Sequence, residues 1–201
     1  MGELKLSDYS SDIAILSPFL LIVSALAVPW VEVSLSSLVD ALYFLLPWVL
    51  VVPLHEGLHA LTVKLLRAKV RFGVTTIGKV ALVPYVAVGT PLPAKRYTLV
   101  SLSPLVLSAI SFSLAWALRS DFWALIYIFN TAGMAGDFLT ALVLLKMPGD
   151  AKVFDEGTVL RSKNEMPRPY PLWVSSLLKA LIVLAFLLVL FLGRVEVVVE
   201  R

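Results

Sequence analysis

Five long apolar segments constrain this chain more than any other feature of its sequence. They cover about residues 13–31, 38–66, 98–118, 122–145 and 172–192, and each is about as long as a helix needs to cross roughly 30 Å of hydrocarbon. Only 15% of the residues are charged, against about 25% in an average soluble domain. We therefore predict an all-α transmembrane helix bundle of about five spans, in a single integral membrane domain over residues 1–201.

The positions of lysine and arginine predict how this bundle is oriented, because cytoplasmic loops of membrane proteins are enriched in both. With a cytoplasmic N-terminus, fourteen basic residues lie on the cytoplasmic side and three lie outside. This predicts a multi-pass protein of the cell membrane whose C-terminus is external. The net charge of +3 is modest, so the bilayer, rather than nucleic acid, is the expected partner. The sequence leaves the oligomeric state open.

The chain between spans two and three is typical of β-structure. Two short runs rich in valine and threonine cover about residues 70–76 and 80–88, with a turn near Ile77–Gly78. Both ends return to the basic side, and lipid cannot satisfy strand edges. We therefore predict a membrane-associated β-hairpin over about residues 70–88 on the cytoplasmic side. Residues 148–169 are charged and irregular in pattern, and are predicted to form a cytoplasmic loop.

The only two histidines of the chain lie four residues apart in the second apolar segment. The run His55-Glu56-Gly57-Leu58-His59 fits the zincin pattern H-E-x-x-H. Residues i and i+4 share one face of a helix, so both imidazoles can bind one ion. The carboxylate of Glu56 can then act as a base toward water. A chance match is the alternative, but ionisable residues within a span need a functional or pairing reason.

A catalytic zinc site needs a third protein ligand, and with no cysteine and no further histidine it must be a carboxylate. Asp137 is the only acid inside the fourth span. His59 lies eight residues before Arg67, and Asp137 lies nine residues before Lys146, at the same ends of parallel spans. At 1.5 Å per residue both groups lie roughly 12–14 Å from the same surface. Asp137 is therefore the predicted third ligand, although an ion pair with a lysine is an alternative.

Other polar residues near this cluster leave alternatives open. Asn130, two turns before Asp137, can hydrogen-bond a substrate or oxyanion as a catalytic group, or can join two helices. Gly133 and Gly136 are expected to permit close approach of another helix. Asp155 and Glu156 on the predicted loop are alternative acidic ligands, or simply solvated loop residues.

These motifs resemble those of the site-2 protease type of intramembrane metalloprotease. The chain is more similar still to a small prokaryotic membrane family of zincin peptidases, through N-x-x-G-x-x-G-D at residues 130–137 and Phe-Asp at residues 154–155. The resemblance covers about residues 40–157. Site-2 proteases carry a glycine after the third ligand, whereas here Asp137 follows a glycine and precedes phenylalanine.

The resemblance implies His55, His59 and Asp137 as zinc ligands and Glu56 as the catalytic carboxylate. It also implies a β-hairpin that could present an edge strand to an unwound substrate. The expected function is a zinc-dependent intramembrane endopeptidase that cuts a transmembrane protein or peptide near the cytoplasmic face. The alternatives are a metal-binding membrane protein without proteolytic activity (a transporter, a sensor or an inactive homologue) and a purely structural membrane protein. Co²⁺, Mn²⁺ and Fe²⁺ also suit such ligands.

Overall fold

The computed structural model describes residues 2–31, 37–77 and 81–192. Most of the described chain is helical, and the rest includes two small antiparallel sheets. The helices are α1 (Ser10–Leu26), α2 (Leu38–Leu65), α3 (Ala94–Ser101), α4 (Leu105–Leu118), α5 (Asp121–Gly133), α6 (Ala135–Leu145) and α7 (Leu172–Leu192). The strands are β1 (Gly2–Lys5), β2 (Val70–Ile77), β3 (Ala81–Val88), β4 (Leu92–Pro93), β5 (Lys152–Asp155) and β6 (Val159–Ser162).

Three helical segments of the described chain are long and apolar enough to cross a membrane: Leu6–Leu26, Leu38–Leu65 and Ala94–Leu118. The bent pair α5 and α6 makes a fourth if it counts as one broken span. In α7, Leu172–Leu184 is a shorter apolar helix within the described residues. The structure therefore supports a bundle of apolar helices, while the count of five spans stays a prediction.

The outer surface of the helices is apolar, as expected where lipid rather than water surrounds a bundle. Leu38, Val39 and Leu65 of α2 are each more than 70% exposed. Small and polar side chains occupy the helix contacts instead, including Ser108, Ser111 and Asn130. Small residues and interhelical hydrogen bonds are the usual basis of helix packing in membranes, because lipid tails provide no hydrophobic drive between helices.

Two predicted spans are interrupted in the structure, which corrects their description as continuous helices. The third ends as α3 at Ser101 and resumes as α4 at Leu105. Pro104 lies in this break, and its missing N–H cannot bond the carbonyl four residues earlier. The fourth span bends by 48° between α5 and α6. Both interruptions lie beside the predicted metal ligands.

The predicted β-hairpin is present as β2 and β3, which pair from Val70↔Val88 to Ile77↔Ala81. Its predicted turn at Gly78 lies outside the described residues. The Tyr85 ring lies over Gly73, its cross-strand partner, and against Gly157 after β5. A Cβ at either glycine would overlap this ring, and Gly157 also has a φ of +94°. These two glycines let the hairpin pack closely on the turn between β5 and β6.

The predicted loop over residues 148–169 is not wholly irregular, because it contains β5 and β6. These strands belong to a four-stranded sheet of order β1-β6-β5-β4, in which the N-terminal strand pairs Gly2↔Ser162 through Lys5↔Val159. Leu4, Val153 and Leu160 bury the sheet against a core shared with α2 and α6. Strands of four residues are too short to show a clear alternating pattern, and the outer partners of this pair, β1 and β4, are far away along the chain, which explains the incorrect prediction.

A polar cluster joins the first and last helices. The buried carboxylate of Asp12 on α1 accepts hydrogen bonds from Tyr170 Oη at 2.8 Å and Ser175 Oγ at 2.6 Å. Lys179 Nζ lies 3.7 Å from the same carboxylate. Because α7 supplies two of these groups, the cluster fixes α7 against α1. Burial and its contacts with Asp12 raise the pKa of Tyr170, which precedes α7.

Candidate metal centre

Helix α2 places the two imidazoles on one face, one turn apart. The Nε2 atoms of His55 and His59 are 3.3 Å apart, and the ring centroids are 4.9 Å apart. His59 is 7% exposed and His55 is partly buried. The i, i+4 spacing in the sequence therefore produces the facing pair expected of an H-E-x-x-H helix.

The bend between α5 and α6 brings Asp137 to this pair. Its Oδ2 lies 3.1 Å from His55 Nε2, and its Oδ1 lies 3.4 Å from His59 Nε2. One ligand atom from each of the three residues lies within 4.8 Å of the others. Asp137 is in the first turn of α6, where the helix dipole favours a carboxylate. The structure thus brings together the three residues predicted as ligands.

The break between α3 and α4 orients His59. The Nδ1 of His59 donates to the Val100 carbonyl at 2.8 Å. In an unbroken helix this carbonyl would bond the N–H of residue 104, but Pro104 has none. Ser103 Oγ also donates to the Val100 carbonyl at 2.7 Å and lies 3.3 Å from His59 Nδ1. Because Pro104 lacks an N–H, the Val100 carbonyl is available as the backbone acceptor that orients His59, a predicted metal ligand.

Asn130 on α5 orients His55 in the same way. The Asn130 side chain donates through Nδ2 to the Pro104 carbonyl at 2.9 Å and to Ser108 Oγ at 2.8 Å. This leaves Oδ1 as the acceptor for His55 Nδ1 at 3.0 Å. Asn130 is fully buried, and its amide is committed to these three partners. The geometry favours a helix-joining and His55-positioning role over the predicted catalytic contact with substrate or oxyanion.

The hydrogen bonds on the outer nitrogens determine what the inner nitrogens can bind. A ring nitrogen that donates to a carbonyl or amide oxygen carries the proton, so the other nitrogen of a neutral imidazole presents its lone pair. The lone pairs on His55 Nε2 and His59 Nε2 therefore face each other and the Asp137 carboxylate. Three electron-rich groups this close repel one another unless a proton or a metal cation lies between them. Two imidazoles and a carboxylate are a donor set that suits zinc, and the residues fit that ion.

Glu56 lies beside the cluster and contacts the hairpin. Its Oε2 accepts a hydrogen bond from the backbone N–H of Val86 on β3 at 2.7 Å. Glu56 also lines two cavities, both of which are lined by Pro84 as well. The carboxylate predicted as catalytic is therefore held by an N–H on the open edge of β3.

The larger cavity has a volume of about 380 Å³ and reaches His55 and Glu56. Its walls are mainly apolar and come from α1, α2, α5 and β3, with Leu21, Trp48, Val52 and Phe129 among them. Gly133 also lines it, and a Cβ there would meet no neighbour within 4 Å. Gly136 has the same open surroundings. The expected close helix contact at these two glycines is therefore wrong, whereas the neighbouring Ala132 and Ala135 are buried.

Neither alternative acidic ligand belongs to the cluster. The buried Asp155 accepts from Val88 N–H at 2.6 Å, Tyr97 Oη at 2.6 Å and Gly157 N–H at 2.7 Å. Burial raises the pKa of the Asp155 carboxyl, although its hydrogen bonds oppose the shift. Glu156 is exposed and pairs with Arg161. Asp155, in β5 of the four-stranded sheet, instead connects the hairpin and α3 to that sheet through its hydrogen bonds.

The sequence did not lead us to the groups that orient the two histidines, by hydrogen bonds to the Nδ1 atoms or to Asn130. These are the Val100 carbonyl, Ser103, Pro104 and Ser108. The signal was available in the run Ser-Leu-Ser-Pro-Leu at residues 101–105, because a proline within an apolar span frees a backbone carbonyl that needs another donor. Which donors would reach it depends on how α2 and α5 pack.

Comparisons with known proteins identify the family of this chain. The model of a family described as "Putative zincin peptidase" matches residues 48–152, which is 105 of the 201 residues. The chain belongs to this family. It is also 49% identical to an uncharacterized 24.7 kDa protein in the gap 5′ region of Pyrococcus woesei, over 96% of this chain and 88% of the relative. No solved structure matches the chain significantly. Membership of the zincin family suggests zinc peptidase activity, and the matched segment contains His55, His59 and Asp137.

The support of His55 by Asn130 gives a testable expectation. Asn130→Ala removes the acceptor for His55 Nδ1, so we expect zinc affinity to fall about 10–100-fold, as for other outer partners of metal-bound histidines. Competition with a fluorescent chelator measures this. Ser111→Ala is the matched control, because among the described residues this buried serine of α4 bonds only backbone carbonyls of its own helix. Equal zinc affinity in a folded Asn130→Ala protein would contradict the positioning role.

Proposed function

We propose that the protein is a zinc-dependent intramembrane endopeptidase. His55, His59 and Asp137 would hold the ion, which when bound polarises a peptide carbonyl and makes a water ligand more acidic. The observation that carries the proposal is the convergence of two imidazole lone pairs and a carboxylate on one point. The outer nitrogens of both rings are fixed by Asn130 and the Val100 carbonyl.

Glu56 is proposed as the general base and acid. Its carboxylate would take a proton from the attacking water and pass it to the amine that leaves when the peptide bond breaks. Proximity supports this role, because Glu56 directly follows His55 on α2 and lines the same cavity as His55. A carboxylate held by one backbone N–H keeps its second oxygen free for water.

The proposed substrate is an apolar, membrane-embedded segment of a protein or peptide. The cavity of about 380 Å³ is bounded by apolar side chains of candidate membrane helices. Hydrolysis needs an exposed carbonyl, so the segment must be unwound locally. The edge of β3 could bind the extended stretch by strand addition. With a cytoplasmic N-terminus, the cleavage position lies near the cytoplasmic face of the cell membrane.

Metal removal tests the proposal directly. The full-length protein in liposomes is incubated with a single-span apolar peptide labelled at both ends, and the products are identified by mass spectrometry. We expect ortho-phenanthroline to lower cleavage at least about 100-fold, because the catalytic ion supplies several kcal/mol of stabilisation. Equimolar Zn²⁺ should restore it, and the non-chelating meta isomer is the control. Cleavage that survives metal removal would contradict the proposal.

A further inference from the structure

The open edge of β3 has a regular pattern of outward-facing backbone groups. Val86 and Val88 direct their N–H groups away from β2, toward Glu56 and Asp155 respectively. Gly89 is an odd number of residues from both, and its N–H points the other way, to the Lys69 carbonyl. Backbone N–H and C=O groups alternate in direction along a strand, so the backbone of residue 84 also faces away from β2. Residue 84 is a proline and has no N–H to offer there. In the described part of β3 from residue 84 onward, the outward N–H groups are thus those of Val86 and Val88.

Carboxylates hold both of these N–H groups, but the two carboxylates differ in what else they bind. Asp155 is 5% exposed and has two further donors, so its bond to Val88 is part of the folded core. Glu56 is only partly buried and lines both cavities. Among the described residues, Val86 N–H is its one hydrogen-bond donor. The contact at Val86 is therefore the exchangeable one.

Glu56, the acceptor in this contact, lines two cavities. The smaller, of about 290 Å³, is lined by hairpin residues that include Phe72, Val74 and Val86. The larger lies between the hairpin and the helices. Glu56 and Pro84 line both. An extended chain passing Val86 would lie against the smaller cavity, which Val86 itself lines, so space is available for a side chain next to the docked carbonyl.

We propose that Val86 N–H is a docking donor for a backbone carbonyl of the substrate, and that Glu56 occupies this donor until the substrate displaces it. The inference rests on the proposed function, because it assigns Glu56 as the base and an extended apolar peptide as the occupant. Docking exchanges one hydrogen bond on Val86 for another. The displaced carboxylate then has both oxygens available for water, so the base is released where a substrate strand has docked.

Proline can test Val86 without breaking the hairpin. An outward N–H makes no bond to β2, and Pro84 already occupies an equivalent position two residues earlier. Val86→Pro therefore removes the proposed donor and keeps the ladder. The matched control is Val74→Pro, at the outward-facing position of β2 that pairs with Pro84 and is 63% exposed.

The experiment is a double-mutant cycle of binding in hydrolytically inactive protein. Glu56→Gln keeps an oxygen acceptor for Val86 N–H, whereas Glu56→Ala removes it. The probe is an acetylated and amidated Leu-Ala-Val-Ala-Leu peptide, and calorimetry gives its Kd for the full-length, zinc-loaded protein in detergent. We expect Glu56→Ala to bind the probe about fivefold tighter than Glu56→Gln, the equivalent of one neutral hydrogen bond. Adding Val86→Pro should abolish this difference, and adding Val74→Pro should keep it.

Amide hydrogen exchange gives a second readout that needs no proline. The Val86 N–H should exchange faster in Glu56→Ala than in Glu56→Gln, and the probe should restore its protection. An unchanged ratio of Kd values in the Val86→Pro background, or exchange at Val86 that the bound probe does not slow, would overturn the docking role. Cleavage of the probe by Glu56→Gln protein would instead contradict the proposed function, so the two failures are distinguishable.

Discussion

Glu56→Gln is expected to lower peptide hydrolysis by a factor of about 10³, within the 10²–10⁴ that a positioned general base contributes. Glutamine keeps the shape of the side chain and an oxygen acceptor for Val86 N–H, which lies 2.7 Å from the carboxylate. It cannot take a proton from water. The ligand atoms of His55, His59 and Asp137 remain in place, so zinc content should stay the same.

Two measurements on one preparation check this expectation. Mass spectrometry quantifies cleavage of the labelled single-span peptide in liposomes, and elemental analysis quantifies zinc. Glu156→Gln is the matched control, because it removes the same charge from an exposed residue that pairs only with Arg161 among the described residues. Cleavage by the Glu56→Gln protein at the rate of the wild type would exclude Glu56 as the base. The alternative of a metal-binding protein without proteolytic activity predicts a different result. The wild type would then cleave nothing, and the Glu56→Gln protein would bind zinc and transport or signal as the wild type does.

Asp137→Ala is expected to remove most of the bound metal, from about one zinc per chain to less than about one-tenth under the same dialysis. Zinc sites of this kind use three protein ligands, and only two imidazoles would remain. The loss should exceed the 10–100-fold weakening expected when an outer partner of a ligand is removed. Hydrolysis should fall with the metal, and excess zinc should restore it only in part.

The control for Asp137 is Asp155, which the sequence analysis gave as an alternative acidic ligand. Asp155→Asn changes a carboxyl that bonds Val88, Tyr97 and Gly157 rather than the histidines. Its zinc content should equal that of the wild type. Full zinc in Asp137→Ala together with loss in Asp155→Asn would transfer the third ligand to Asp155. Circular dichroism of both variants separates loss of the site from loss of the fold.

Several features of the site follow from local sequence because their cause is local. An α-helix places residues four apart on one face, so His55 and His59 had to face each other once α2 formed. Asp137 could be found by counting residues to the basic ends of two parallel spans, because the helical rise is constant. The hairpin over residues 70–88 was also predictable from its valine, threonine and glycine content, since these are short-range preferences.

Other features depend on contacts between segments that are distant along the chain. The pairing of β1 with β6 joins residues 2–5 to residues 159–162, and neither stretch carries a strong signal alone. The role of Asp155 was likewise decided by the approach of the hairpin and α3, which supply two of its donors. A carboxylate on a short loop has the same local sequence whether it binds a metal, water or a backbone N–H.

The amino-acid sequence by itself determined which side chains could bind a cation, since helical spacing and the scarcity of histidine and acid within the spans left few candidates. Only the tertiary structure decided what each group contacts. The break at Pro104 frees the Val100 carbonyl for His59, and the packing of α5 directs the Asn130 oxygen toward His55. The physical reason is that a hydrogen bond depends on distances of a few tenths of an ångström between separate helices, which residue order alone does not specify.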